Sequence, residues 1–133
     1  MEQSLHGIRV LIIDDEQEFA QTLASRLELR GMSVAVCFGG QEGIAHLGTA
    51  LPDVLLLDMR MPGCSGVDVL RRLRQGGNIT GGDTLPVVIV SGHSSPHDLA
   101  AAEDLGIQGH VGKPVQFEEL IAAIHTAIGR NPL

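Results

Sequence analysis

The feature that most constrains this chain is an alternation. Short apolar runs at residues 8–13, 32–37, 53–57, 85–90 and 107–111 are each followed by a segment with apolar residues three and four apart. The runs are rich in Val, Ile and Leu and mostly lack polar alternation, as strands do when a parallel sheet is covered on both faces. Phe19, Leu23 and Leu27 form the first helical stripe, and Gly31 supplies a left-handed stop after it. Ile44 and Leu47 form a shorter stripe, and Leu70 and Leu73 a third, whose outer face carries Arg71, Arg72 and Arg74. Leu99, Ala102 and Leu105 precede Gly106, and Leu120, Ile124 and Ile128 complete the set. Strict alternation of five strands with five helices predicts right-handed crossovers and a doubly wound α/β sheet.

A length of 133 residues fits one domain, 1–133, with enough chain for a core of its own. A net charge of −7 disfavours direct binding of nucleic acid or of an anionic membrane by this domain. The N-terminus has neither a basic region nor a long apolar stretch, and no run approaches the roughly 18 apolar residues of a spanning helix. A cytoplasmic location is expected. Cys37 and Cys64 do not make a disulfide framework. Cys37 reads as a buried strand residue, and Cys64 lies in a loop beside the candidate site. The stretch 75–84, with four glycines, reads as a flexible surface insertion.

In a doubly wound sheet, ligands bind beyond the carboxyl ends of the strands. The first run ends in Asp14-Asp15-Glu16, the third in Asp58, the fourth in Ser91 and the fifth in Lys113-Pro114. Neighbouring carboxylates repel one another by several kcal/mol at about 4 Å and an effective dielectric of about 20. A hard divalent cation removes that repulsion, and Mg²⁺ favours one or two carboxylates together with water and phosphate oxygens. Lys113 is the only lysine among nine basic residues, and a compact ammonium suits a pocket for a small tetrahedral group.

Four stretches together, Val10 to Glu16, Leu56 to Gly66, Val90-Ser91-Gly92 and Gly112-Lys113-Pro114, resemble the signatures of response-regulator receiver domains. The resemblance spans residues 8 to about 129. It implies a flavodoxin-like sheet of strand order 2-1-3-4-5, and a signalling switch rather than an enzyme with a separate substrate. Such a module catalyses its own phosphorylation and dephosphorylation. By the same resemblance Asp58 is the phosphoacceptor, charged by a sensor histidine kinase or a histidine phosphotransfer protein. Asp14, Asp15, Asp58 and the backbone carbonyl of Arg60 hold Mg²⁺ (or Mn²⁺), Asp15 directly and Asp14 through water. Lys113 contacts the acidic centre and the phosphoryl group, the bond before Pro114 is cis, and the Ser91 hydroxyl turns to the phosphoryl group.

One position departs from the family. His110 stands where a switch aromatic, Tyr or Phe, is usual, and an imidazole there is smaller and able to carry charge. Arg60 and His93, each two residues past a site residue, border the path of an attacking water and are expected to slow hydrolysis. A zinc site at His93 and His97 is disfavoured by the Ser94-Ser95-Pro96 between them. An FMN-binding relative of the same fold would want hydroxyls or glycines where this chain has acids. An aspartyl phosphatase would want an acid at Arg60 and a lid domain.

The output partner is a downstream protein or a fused effector, and homodimerisation is left open. Two alternatives also stand, a receiver module belonging to a larger regulator or hybrid kinase, and a degenerate receiver acting by protein binding alone.

Overall fold

The computed structural model describes residues 4–75, 79–92 and 94–129. In chain order they form β1 (Arg9–Ile13), α1 (Gln17–Leu29), β2 (Ser33–Cys37), α2 (Gly40–Thr49), β3 (Val54–Leu57), α3 (Gly66–Gln75), β4 (Val87–Ser91), α4 (Pro96–Leu105), β5 (Gly109–Gly112) and α5 (Phe117–Ala127). The strands make one parallel sheet of order β2-β1-β3-β4-β5. The strand order and alternation expected from the sequence are those observed.

Successive strand residues point to opposite faces, so a sheet covered on both sides needs apolar residues at every position. Val10, Ile12, Val54, Leu56, Val88 and Val90 pack with Leu23, Leu27, Leu120 and Ile124 of α1 and α5. Their neighbours Leu11, Ile13, Leu55, Leu57, Val87 and Ile89 pack with Ile44 and Leu47 of α2, Leu70 and Leu73 of α3, and Ala102 of α4. This double burial explains why the central runs lack polar alternation. Polar groups on these strands are confined to their ends, and that confinement positions the site.

The strands start one or two residues later than the apolar runs. At β4 the cause is Pro86, which has no N–H to give a ladder, although its carbonyl accepts the amide of Leu55 at 2.9 Å. Ile8, Met32 and Leu85, three of the run residues left outside, are still buried in the core.

The segment after α3 differs from the sequence expectation. Of the stretch 75–84, residues 76–78 lie outside the described residues. Thr80, Gly81, Asp83 and Thr84 are exposed as a surface insertion would be, but Ile79 is buried in the core and Gly82 is buried too. Arg74, expected on the outer face of α3, is half-buried and ties this turn down. Its Nη1 donates to the Gly82 carbonyl and its Nη2 to the Gly106 carbonyl, each at 2.8 Å. Burial lowers the pKa of its guanidinium, a sign of how far the group is drawn out of water. The sequence hides this role because an arginine beside Arg71 and Arg72 reads as one more solvated charge.

Removing the fork leaves two carbonyls short of a donor. Arg74→Ala is expected to lower unfolding free energy by about 1–3 kcal/mol, read from the urea midpoint. Arg74→Lys should recover only part of that loss, since an ammonium does not present two divergent donors.

Candidate functional site

At the carboxyl edge of the sheet, β1 and β3 each run on into an aspartate held by the strand ladder. The Asp14 amide donates to the Cys37 carbonyl and the Asp58 amide to the Ile13 carbonyl, both at 3.0 Å. Their carboxyl groups therefore project from backbone that belongs to the rigid sheet. Asp14 and Asp58 are buried, 2% and 5% exposed, and Asp15 is half-buried. One oxygen from each of Asp14, Asp15 and Asp58 lies within 4.8 Å of the others.

The loop after β3 is folded tightly under this cluster. The Gly66 amide donates to the Met59 carbonyl at 3.0 Å. A Cβ at Gly66 would lie 2.5 Å from the Asp58 carbonyl oxygen, so only glycine lets α3 start this close to the cluster. Ser65 and Asp68 exchange hydrogen bonds at 3.0 and 3.2 Å, a capping box that fixes the start of α3.

Lys113 enters from the end of β5, its amide donating to the Ser91 carbonyl at 3.1 Å, and the Lys113–Pro114 bond is cis. Its ammonium lies 2.9 Å from Asp14 Oδ2, 2.6 Å from Glu16 Oε1 and 3.8 Å from Asp58 Oδ1. It also sits 4.5 Å from the centre of the Phe19 ring. Ser91 is buried at the end of β4, and its hydroxyl accepts from Ser94 Oγ at 3.0 Å.

The electrostatics follow from this crowding. Burial, then the charge of Asp14, pushes the Asp58 pKa up from 3.8 to about 6, against the opposing pull of Lys113 and the Arg60 amide. Burial likewise raises Asp14, opposed by its hydrogen bonds from Lys113 and the Glu16 amide. Burial alone would lower the pKa of Lys113, but hydrogen bonds to Asp14 and Glu16 and the charges of Asp14 and Asp58 hold it above its ordinary value. Three close carboxylates with one ammonium leave an excess of negative charge. An all-oxygen donor set of this kind fits a hard divalent cation.

The structure thus brings Asp14, Asp15, Asp58, Lys113 and Ser91 to one edge. Arg60 is exposed in the loop after β3, and His110 is exposed on β5 opposite Ile89. His93 lies outside the described residues. Cys64 and Cys37 are buried and their thiols are pushed up by burial, which disfavours the reactive thiolate. Sequence reasoning missed Ser94, Phe19 as the wall against Lys113, and Glu16 as its nearest acid.

The model of the response regulator receiver domain matches residues 10–125. The chain belongs to that family. It is a receiver-domain phosphorylation switch with an acidic cluster of the kind such switches use. The chain is 36% identical over 122 residues to the uncharacterized transcriptional regulatory protein YkoG of Bacillus subtilis, covering 92% of this chain and 51% of that protein. It is 33% identical over 126 residues to the transcriptional regulatory protein DltR of Streptococcus agalactiae, covering 95% and 54%. The chain thus spans about half the length of the curated relatives it matches. Among solved structures, a receiver domain protein from Clostridium thermocellum superposes with a TM-score of 0.81 at 30% identity, covering 92% of this chain and 94% of that one. The Francisella response regulator 1452 receiver domain gives 0.79 at 27% identity, covering 92% and 98%. No helix among the described residues of this receiver is long and apolar enough to cross a membrane.

The raised Asp58 pKa sets a pH dependence. A carboxyl that holds its proton more tightly when folded favours the fold at low pH. That advantage is lost as pH rises from about 4 to about 6 and stays lost above. The span from 3.8 to about 6 corresponds to a loss of about 3 kcal/mol. In a chelating buffer, Asp58→Asn is therefore expected to raise the melting temperature at pH 7.5 and to gain little at pH 4. Equal effects at both pH values would contradict the charge balance described here.

Proposed function

We propose that Asp58 accepts a phosphoryl group from the phosphohistidine of a sensor histidine kinase or a histidine phosphotransfer protein. The observation that carries this reading is the buried carboxylate cluster with the Lys113 ammonium 3.8 Å from Asp58 Oδ1. A cation at that separation attracts charge arriving at the acceptor without occupying its oxygen. The Asp58 oxygen forms a bond to phosphorus as the phosphorus–nitrogen bond of the donor breaks, and the imidazole leaves with the electron pair. Lys113 offsets negative charge on the transferred group. Bound by Asp14, Asp15, Asp58 and the Arg60 carbonyl, Mg²⁺ or Mn²⁺ would neutralise the cluster and polarise the phosphoryl oxygens.

Ser91 is the proposed reader of the modified state. The Ser91 and Ser94 hydroxyls lie 3.0 Å apart, and with Ser94 as the donor of that bond the Ser91 proton is left to donate to a phosphoryl oxygen. Phosphorylation adds nearly two negative charges and new acceptor oxygens, which gives that hydroxyl something to turn towards. His110, exposed on the neighbouring strand, is the proposed switch residue that moves inward with it. Arg60 and His93 are proposed to slow hydrolysis by crowding the approach of water. Relatives of about twice the length support reading this receiver as the input module of a larger regulator, whose output resides in other parts of the chain or in a partner.

Intact mass after incubation with Mg²⁺ and a small acyl phosphate tests the acceptor. One added phosphoryl group is expected, absent in Asp58→Asn and absent without metal; a modification that persists in that variant would sink the assignment. Followed over time, the same signal is expected to decay faster in an Arg60→Ala, His93→Ala double variant. His110→Ala should take up the group normally yet lose phosphorylation-dependent affinity for its partner, and unaltered dependence would remove His110 from the switch.

A further inference from the structure

Glu16 occupies the N-cap of α1, a position that favours Ser, Thr, Asp or Asn because their short side chains reach back to the first amides of the helix. Its backbone behaves as a cap should: the Glu16 carbonyl accepts the Ala20 amide at 2.9 Å, and its own amide donates to Asp14 Oδ1 at 2.9 Å. Its side chain makes no capping hydrogen bond. The carboxylate instead reaches across to Lys113, 97 residues away in sequence, and takes the shortest contact that the ammonium makes, 2.6 Å. The Glu16 side chain is 62% exposed whereas Lys113 is 12% exposed. A largely solvated acid thus grips a half-buried cation from its open side.

The remaining contacts of that ammonium define a position. Asp14 Oδ2 holds it at 2.9 Å, the Phe19 ring bounds it at 4.5 Å, and Asp58 Oδ1 is beyond hydrogen-bond distance at 3.8 Å. Asp58 is buried and Glu16 is largely exposed, so the Asp58 carboxylate draws the ammonium inward and Glu16 draws it towards solvent. Glu16 supplies the opposing pull. We infer that Glu16 is a positioning residue that draws the Lys113 ammonium back from Asp58 and must yield it when a phosphoryl group arrives. The inference rests on the reading of Asp58 as the acceptor and of Lys113 as the cation that meets the phosphoryl oxygens. Its consequence is that Glu16 stabilises the unmodified state of the switch against the modified one.

Beryllofluoride, a phosphoryl mimic that binds a carboxylate in the presence of Mg²⁺, serves as the probe. Glu16→Gln is expected to bind it more tightly than wild type by about two- to fivefold, the range of an exposed ion pair lost from one state only. Glu16→Asp keeps the charge but is one methylene too short to reach Lys113, and it should resemble Glu16→Gln. Glu18→Gln, which removes an exposed acid from the first turn of the same helix, should resemble wild type and controls for net charge. A Glu16→Asp variant that behaves as wild type would reduce the effect to long-range charge and overturn the inference. So would unaltered or weaker binding in Glu16→Gln.

Lys113 being the only lysine, [15N]lysine labelling gives a single side-chain ammonium signal. In the free, metal-free protein that signal should be displaced by Glu16→Gln and by Glu16→Asp, and an unmoved signal in both overturns the grip itself. Wild type that fails to bind beryllofluoride removes the acceptor reading, and this inference with it. Wild-type binding with indistinguishable variants overturns this inference alone.

Discussion

A parallel sheet buried on both faces has no room for charge along its length, and every ionisable group that the strands carry must be expelled to their ends. In this receiver the constraint is close to complete: β3 and β4 are buried from end to end, and their first polar side chains are Asp58 and Ser91. The same exclusion drives Asp14 to that edge from β1, while Lys113 follows β5, an edge strand of which only Val111 is buried. Packing and chemistry are therefore not separate accounts. The core that stabilises the fold concentrates acids at one rim, and the rim is then held together by a single ammonium.

Much of this was legible in the sequence because it rests on local pattern. Uniform apolar runs between helical stripes can hardly be read otherwise, and the residues just past four of the five runs name the site. What escaped were particular side-chain contacts made across the fold. Arg74 carries the same charge as Arg71 and Arg72, and only the tertiary structure tells which one is turned inward to two carbonyls. Ile79, placed among glycines, looks like loop filling and is core. Glu16 is visible in the acidic stretch, but its partner comes 97 residues later. The strand limits were blurred for a simpler reason: Ile8, Met32 and Leu85 are buried although they lie outside the strands, so hydrophobicity overruns the ladder.

The acidic centre also shows how a fold retains a group that is unfavourable in isolation. Asp58 sits with its carboxyl weakened as an acid by burial and by Asp14, and the surrounding sheet pays that cost through contacts made elsewhere. A site of this kind is stable only in the context of the whole domain, in keeping with a likeness to known receivers that covers nearly the full chain rather than a motif.

Helix α4 is fastened unequally. Ala102 is the only residue it buries fully, so its hold on the sheet is slight. At its C-terminal end, Gly106 is clasped by Arg74. At the other end the chain enters from Ser94, which hydrogen-bonds the Ser91 hydroxyl at the end of β4. A rod clamped at one end and pushed at the other pivots. A displacement at the Ser91–Ser94 contact would therefore swing the N-terminal end of α4 most, with Arg74 at the fulcrum.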